Sequence, residues 1–393
     1  LLLLQRLLDG RIEHDHGRLI DTTLAAAASG GRDAGGADWK AAQVPLAFAR
    51  RLRQQPMRRR TSIQWRSAAR MAPDAATRTH METPMKIRHI ASGLQFPEGP
   101  IAMDDGSVLL VEIARGTLSR VTPDGCIHVL SQLGGGPNGA AIGPDGAVYV
   151  CNNGGFEWAT EADGCLRPTL QARDYAGGRV ERVNLASGKF ERLFDTVDGR
   201  GLRGPNDIAF DAHGGFYFTD LGKARAHDMD HGGLYYAPAG GADPCTVAGP
   251  ALTPNGVALS PDGRTLYYAE TAGARLWAFD IEAPGQVRKQ PWPSPHGGRM
   301  LAASPGGHFQ RFDSMAVDAH GNLHVATLVH GGISVISPDG RRCFHLPLDD
   351  RMVTNLCFGG RDLRTLFVTL SGSGRLIAID GWPTAGLRLN YNA

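Results

Sequence analysis

From residue 86 onward the chain is a succession of short apolar runs separated by Gly, Pro, Asp and Asn. No stretch keeps apolar residues at the i, i+3, i+4 spacing of a helix face, and the runs alternate or are continuously apolar over strand lengths. Six segments fall into register. They are PEGPIAMDDGSVLLVE from Pro97, PNGAAIGPDGAVYVCN from Pro137, PNDIAFDAHGGFYFTD from Pro205, PNGVALSPDGRTLYYAE from Pro254, FDSMAVDAHGNLHVAT from Phe312 and TNLCFGGRDLRTLFVT from Thr354. Each begins beside an oxygen-bearing side chain, continues as an apolar strand, turns, and returns as a second strand. The starts are separated by 40, 68, 49, 58 and 42 residues, the signature of a repeated supersecondary unit.

Further strand signals follow each unit: LSRVTPDG at 118–125, RVERVNLASGKF at 179–190, RLWAFDI at 275–281, ISVISPDG at 333–340 and RLIAID at 375–380. Four strands per unit in six units predict an all-β, six-bladed β-propeller over residues 86–393. The end units resemble the middle ones, which argues against an open solenoid with polar caps. KIRHIASG at 86–93 is placed to complete the last blade and close the ring. The PDG tripeptides at 123–125, 144–146, 261–263 and 338–340 are turn chemistry: Pro fixes φ, Asp bonds the local backbone and Gly supplies φ > 0. Their aspartates, and His213 and His320 of the two AHG turns, are read as structural. The sixth unit has Leu363 at the position of the turn glycine, so its turn is expected to differ.

Charge divides the chain. Residues 1–80 hold 14 Lys/Arg against 7 Asp/Glu, a net +7, whereas residues 81–393 hold 27 against 32, a net −5. Residues 1–85 read as a disordered basic extension before the propeller, outside its fold and belonging to the natural protein only if translation starts before Met81 or Met85. The acidic body argues against a nucleic-acid partner. No apolar run reaches the ~18 residues of a membrane helix. The six cysteines have no C-x-x-C spacing, so they read as reduced thiols of a cytoplasmic protein rather than a zinc ribbon or redox motif.

In a propeller the first strand of each blade lines the central channel. Repeat-equivalent positions therefore bring Glu98, Asn138, Asn206, Asn255, Asp313 and Asn355 around the axis. Two carboxylates crowded there without Lys or Arg need a neutralising cation. Carboxylate and amide oxygens with neither Cys nor His suit a hard divalent ion such as Ca2+, Mg2+ or Mn2+.

The motifs FPEGP, RGPNDIAFDAHGGFYFTD, TPNGVALSPDGRTLYYAET and DSMAVDAHGNLHVAT, in this order, resemble those of the family of senescence marker protein (regucalcin), gluconolactonase and luciferin-regenerating enzyme. The resemblance covers most of the predicted propeller. It implies one axial divalent cation (Ca2+ first, with Mg2+, Mn2+ or Zn2+ as alternatives) and hydrolysis of a small-molecule lactone. It further implies Glu98, Asn255 and Asp313 as metal ligands, Asn206 as a ligand or substrate contact, and Asp313 as the acid/base. Asn138 and Asn355 are not usual ligands in the family and read as pocket wall or turn. The sugar-lactone enzymes carry an Arg where this chain has Gly204, with Arg203 one residue earlier, so the aldonolactone substrate is the part of the resemblance most open to change. A carboxylate that binds the cation is a weaker base; either its second oxygen does the proton work or the cation itself activates the water.

Antiparallel pairing brings the ends of the second strands toward the same face, which places Asn152, Asn153, Asp220, Glu270 and Thr327 near the mouth. Asn138, Asn153, Asn206, Arg203 and Glu270 are the expected substrate contacts. The insertion at 154–178 is expected to overhang the mouth, with Phe156, Trp158 and Tyr175 either as an aromatic wall or as packing for the loop itself, and His308 and Phe309 as weaker contacts. No G-x-S-x-G is present, and GGGPNG at 134–139 lacks the Lys-Ser/Thr of a phosphate loop. Two rivals remain: an aryl-ester or phosphotriester hydrolase with the same metal, and a non-enzymatic ligand-binding propeller.

Overall fold

The computed structural model describes residues 85–304 and 309–391. The extension expected over residues 1–85, Met85 apart, and the candidate His308 lie outside the described residues. Helix among the described residues is confined to one short 3-10 turn, Ala239–Gly241. None of it is long and apolar enough to cross a membrane.

Six antiparallel sheets form the ring. Their inner strands are Pro97–Ala102, Pro137–Ile142, Pro205–Phe210, Pro254–Leu259, Arg311–Val317 and Val353–Gly359. Each contacts the next, and the last contacts the first. The closure is the expected one. Lys86–Ser92 pairs antiparallel with Arg375–Asp380 as the outer strand of the sixth sheet, so one blade contains both ends of the repeat region. The apolar core lies between neighbouring sheets in discrete clusters. One such cluster joins Tyr149, Val180, Phe216 and Phe218 of blades two and three. The six cysteines are free thiols.

Two local features position the axial side chains. Every inner strand has a register shift at its start. For example, Pro137 pairs with Asn152 and Ala140 with Val150, so three steps on one strand oppose two on the other. The same shift recurs in blades one, three, four and five, and in blade six two steps from Val353 to Asn355 oppose one from Leu370 to Thr369. A bulge at this point re-aims the side chains at the start of the strand. The glycine after the oxygen-bearing residue then allows neighbouring inner strands to approach. A Cβ on Gly139 would lie 2.4 Å from the Asn206 carbonyl oxygen, and one on Gly99 would lie 2.7 Å from that of Asn138. The P-N-G pattern is thus a packing requirement of the ring as much as a donor motif.

The turns follow the sequence reading with one correction. Asp145 accepts from Ala147 N, and Asp262 from Arg264 N and Ser260 Oγ, so these aspartates hold turns. The sixth turn, expected to differ, is the same turn. Leu363 has φ 56°, and its N–H donates to Gly360 O as Gly146 N–H does to Gly143 O. A left-handed leucine is strained. The C-terminal segment secures it, because Gly386 N–H donates to the Leu363 carbonyl.

Candidate active site on the propeller axis

All six register-equivalent side chains are buried: Glu98, Asn138, Asn206, Asn255, Asp313 and Asn355 are each 8% exposed or less. Their surroundings differ. Glu98 Oε2 accepts from its neighbour Gly99 N at 2.8 Å and from Asn355 Nδ2 at 2.7 Å. Asn355 Oδ1 accepts from Leu356 N at 2.7 Å, which fixes the amide with its NH2 toward Glu98. Asn355 therefore orients a carboxylate and does not itself offer a free oxygen. Asn255 Nδ2 donates to Thr271 Oγ1 at 3.0 Å, and Asn255 Oδ1 lies 3.4 Å from the Ser314 hydroxyl. Asn206 Oδ1 is buried without any hydrogen-bond partner.

Burial pushes the Glu98 carboxyl up to about 7, against the bonds from Asn355 and Gly99. It raises Asp313 well above the carboxylate range, helped by the charge of Glu98 and opposed by the Asn255 amide. A third carboxylate joins them. Asp207 stands where blades one, two and four carry glycine. It accepts from Ile208 N and from Val257 N of the next blade, and burial lifts it to about 7. Its charge also raises Glu98 and Asp313. The sequence reading missed it, although the P-N-D departure from P-N-G was visible.

This set fits a hard cation. An orphaned buried acceptor costs free energy unless something positive or protic meets it, and carboxylates with raised proton affinity nearby need the same neutralisation. Among the described residues no three His, Cys, Asp or Glu side chains form a ligand cluster by themselves. A cation here would therefore draw on the amides Asn206 and Asn255 as well as on Glu98 and Asp313.

The ends of the second strands shape loops. Glu270 is buried, with its oxygens taken by Arg275 and Trp277 Nε1. Asp220 accepts from the backbone N–H groups of Arg203, Gly204 and Gly222. Asn152 spans Gly136 N, Gly154 N, Gly134 O and Glu181. Thr327 is bonded to Ser334 and Val325 O. Gly204 cannot hold a side chain without displacement, because a Cβ there would lie 2.5 Å from Gly222 O. Arg203 next to it is exposed.

Asn153 is different. Its Oδ1 accepts from Gly155 N at 2.8 Å and from Lys223 Nζ at 3.1 Å, while its Nδ2 is buried without a partner. Lys223, also missed in the sequence, is 1% exposed. It further donates to Gly155 O at 2.7 Å and lies 3.9 Å from the centroid of the Phe156 ring. Burial lowers its pKa to about 7, against the charges of Asp220 and Asp230.

The insertion overhangs the axis as expected. Its hairpin, Phe156–Thr160 with Leu166–Gln171, packs Trp158 on Phe96 before blade one (ring centroids 5.0 Å). Gln171 N donates to Ala224 O beside blade three. Its tip reaches blade six through Leu166 N to Gly372 O and through Asp163 to Arg351. The aromatics pack this roof: Tyr175 donates its hydroxyl to Arg203 O at 2.6 Å, and Phe156 covers Lys223. Phe309 stays exposed, near Arg311. A cavity of about 390 Å³ is lined by Gly99, Asp207 and Asn355 of the axial centre and by the C-terminal residues Leu387, Leu389 and Tyr391.

Fold and axis together define a six-bladed propeller with a buried carboxylate–amide centre under a hairpin roof. The family described as SMP-30/Gluconolactonase/LRE-like region matches residues 96–372, and the chain belongs to it. It is similar to a gluconolactonase of Zymomonas mobilis, 27% identical over 320 residues that cover 74% of this chain and 80% of that one. A lactonase of Staphylococcus saprophyticus is 30% identical over 63% of this chain and 68% of its own. Among solved structures, a gluconolactonase from Xanthomonas campestris superposes with a TM-score of 0.58 at 22% identity, covering 75% of this chain and 89% of its own. A calcium-binding protein, regucalcin, from Agrobacterium tumefaciens gives 0.55 at 17%, covering 75% and 95%. At these identities the structural matches speak for the fold.

Proposed function

We propose that the protein is a lactonase that hydrolyses the ring ester of a small-molecule lactone at the axial centre with a divalent cation as cofactor. The observation that carries this reading is the pairing of buried Glu98 and Asp313 with the unpartnered Asn206 Oδ1 on one propeller axis, in a family whose members include named gluconolactonases. Glu98, Asn206, Asn255 and Asp313 would hold the cation, Ca2+ before Mg2+, Mn2+ or Zn2+. When bound, it would polarise the lactone carbonyl and stabilise the developing oxyanion.

The remaining work falls to the chain's own groups. Asp313, with a carboxyl of raised proton affinity, takes a proton from the attacking water and returns one to the ring oxygen as the C–O bond breaks, which yields the hydroxy acid. Asn355 holds Glu98 in one orientation. Asn138, Asn153 and Asn206 present polar groups to the substrate, with Arg203 at the rim, and the hairpin roof limits access of bulk water. Glu270 contributes by bracing the loop at the mouth.

The reading is tested with sugar and aliphatic lactones after chelation, with each metal added back. Turnover restored by one metal and abolished in Asp313→Ala supports it. A folded, metal-binding protein inert on lactones but active on aryl esters or phosphotriesters replaces the substrate class, and a protein that binds no metal overturns the proposal.

A further inference from the structure

The amide of Asn153 has only one chemically sensible orientation. Its oxygen faces two donors, Gly155 N and the Lys223 ammonium. A flipped amide would set its NH2 against both. The Nδ2 group is therefore a fixed donor, and it is buried with nothing in the protein to receive it. Lys223 comes from the loop after the second strand of blade three, and its other contacts, Gly155 O and the Phe156 ring, lie at the root of the roof hairpin. With two carbonyl acceptors and an aromatic face engaged, the ammonium has no role left for a substrate.

We propose that Lys223 is a positioning residue for the substrate pocket: it locks the Asn153 amide with its NH2 as the unpaired donor, and so makes this point of the site selective for an acceptor oxygen, such as a ring hydroxyl or carboxylate oxygen of the lactone. The assignment of a lactone rests on the reading above; the locking of Asn153 does not. A buried unpaired donor is a strong discriminator, because a ligand lacking the matching acceptor leaves it unsatisfied.

The test is a double-mutant cycle on the full chain with the lactone turned over fastest. Lys223→Met and Asn153→Ala are each expected to raise KM about 10-fold with kcat within about 3-fold, from the loss of roughly one hydrogen bond. The double variant should be no worse than Asn153→Ala, because the lysine acts through the amide. Lys223→Gln, which keeps an N–H donor, should recover most of the loss. Multiplicative losses in the double variant, or an unchanged KM in Lys223→Met, overturn the proposal. A second arm needs no turnover. In protein labelled with 15N-asparagine, the Asn153 side-chain signal, identified by its absence from Asn153→Ala, should shift in Lys223→Met, and an unchanged signal overturns the locking. If Lys223→Met does not fold, Asn153→Asp removes the donor while keeping the partner of Lys223. A raised KM at wild-type Tm then supports the proposal, and an unchanged KM overturns it. Absence of lactone turnover in the wild type, with the amide signal responding as expected, would remove the lactone reading and leave the locked donor in place.

Discussion

Asn355 Nδ2 donates to Glu98 Oε2 at 2.7 Å across the seam between the last and first blades. Ring closure thus delivers a second-layer amide to a candidate metal carboxylate. Outer partners of this kind tune affinity without touching the ion, and their loss typically costs about 10- to 100-fold. Asn355→Ala is expected to weaken divalent-cation binding by about that factor and to recover turnover at high metal concentration. Titration of the chelated variant beside wild type checks it.

The proposed reaction makes Asp313 the proton acceptor. Asp313→Asn should lower kcat by about 10²- to 10⁴-fold, the usual worth of a positioned acid/base, with circular dichroism unchanged. A kcat within a few-fold of wild type contradicts that assignment.

Stability should respond to pH in a direction set by burial. Glu98 and Asp207 rise to about 7 from ordinary values of 4.5 and 3.8. Between about pH 4 and pH 7 the folded chain therefore holds protons that the unfolded chain has released. The contribution of these groups to stability is greatest at the acid end and is lost as pH rises through about 7. Metal-free Asp207→Asn should show less of this loss than metal-free wild type. Bound cation should oppose it, since binding displaces protons. Denaturant midpoints across pH measure both.

Gly139 is a packing prediction. Alanine there would set a methyl 2.4 Å from the Asn206 carbonyl oxygen and 2.6 Å from Asp207 Cα. Gly139→Ala should cost about 1–3 kcal/mol by overpacking and should reduce turnover by moving Asn206. Chemical denaturation with parallel assays reports each effect.

The repeat was legible because a propeller writes its unit into local sequence: strand, turn and strand recur, and KIRHIASG stood outside the count as the strand needed for closure. The axial oxygens were legible for the same reason. Asp207 and Lys223 were not, because their meaning lies in contacts between blades: Val257 N–H on Asp207, and Gly155 O with Phe156 around Lys223. Likewise Glu270 and Asp220 read as mouth residues until their loop partners were known. Leu363 misled because a leucine in a glycine conformation is held by a distant carbonyl contact that no local pattern announces.

The most direct test of the account is calorimetric titration of chelated wild type, Glu98→Gln and Asp313→Asn with Ca2+, run beside lactone turnover of the same samples. The account predicts one site per chain in the wild type, weakened in both variants, with turnover following occupancy. Full lactone turnover by metal-free protein, or wild-type Ca2+ affinity in both variants, would contradict it.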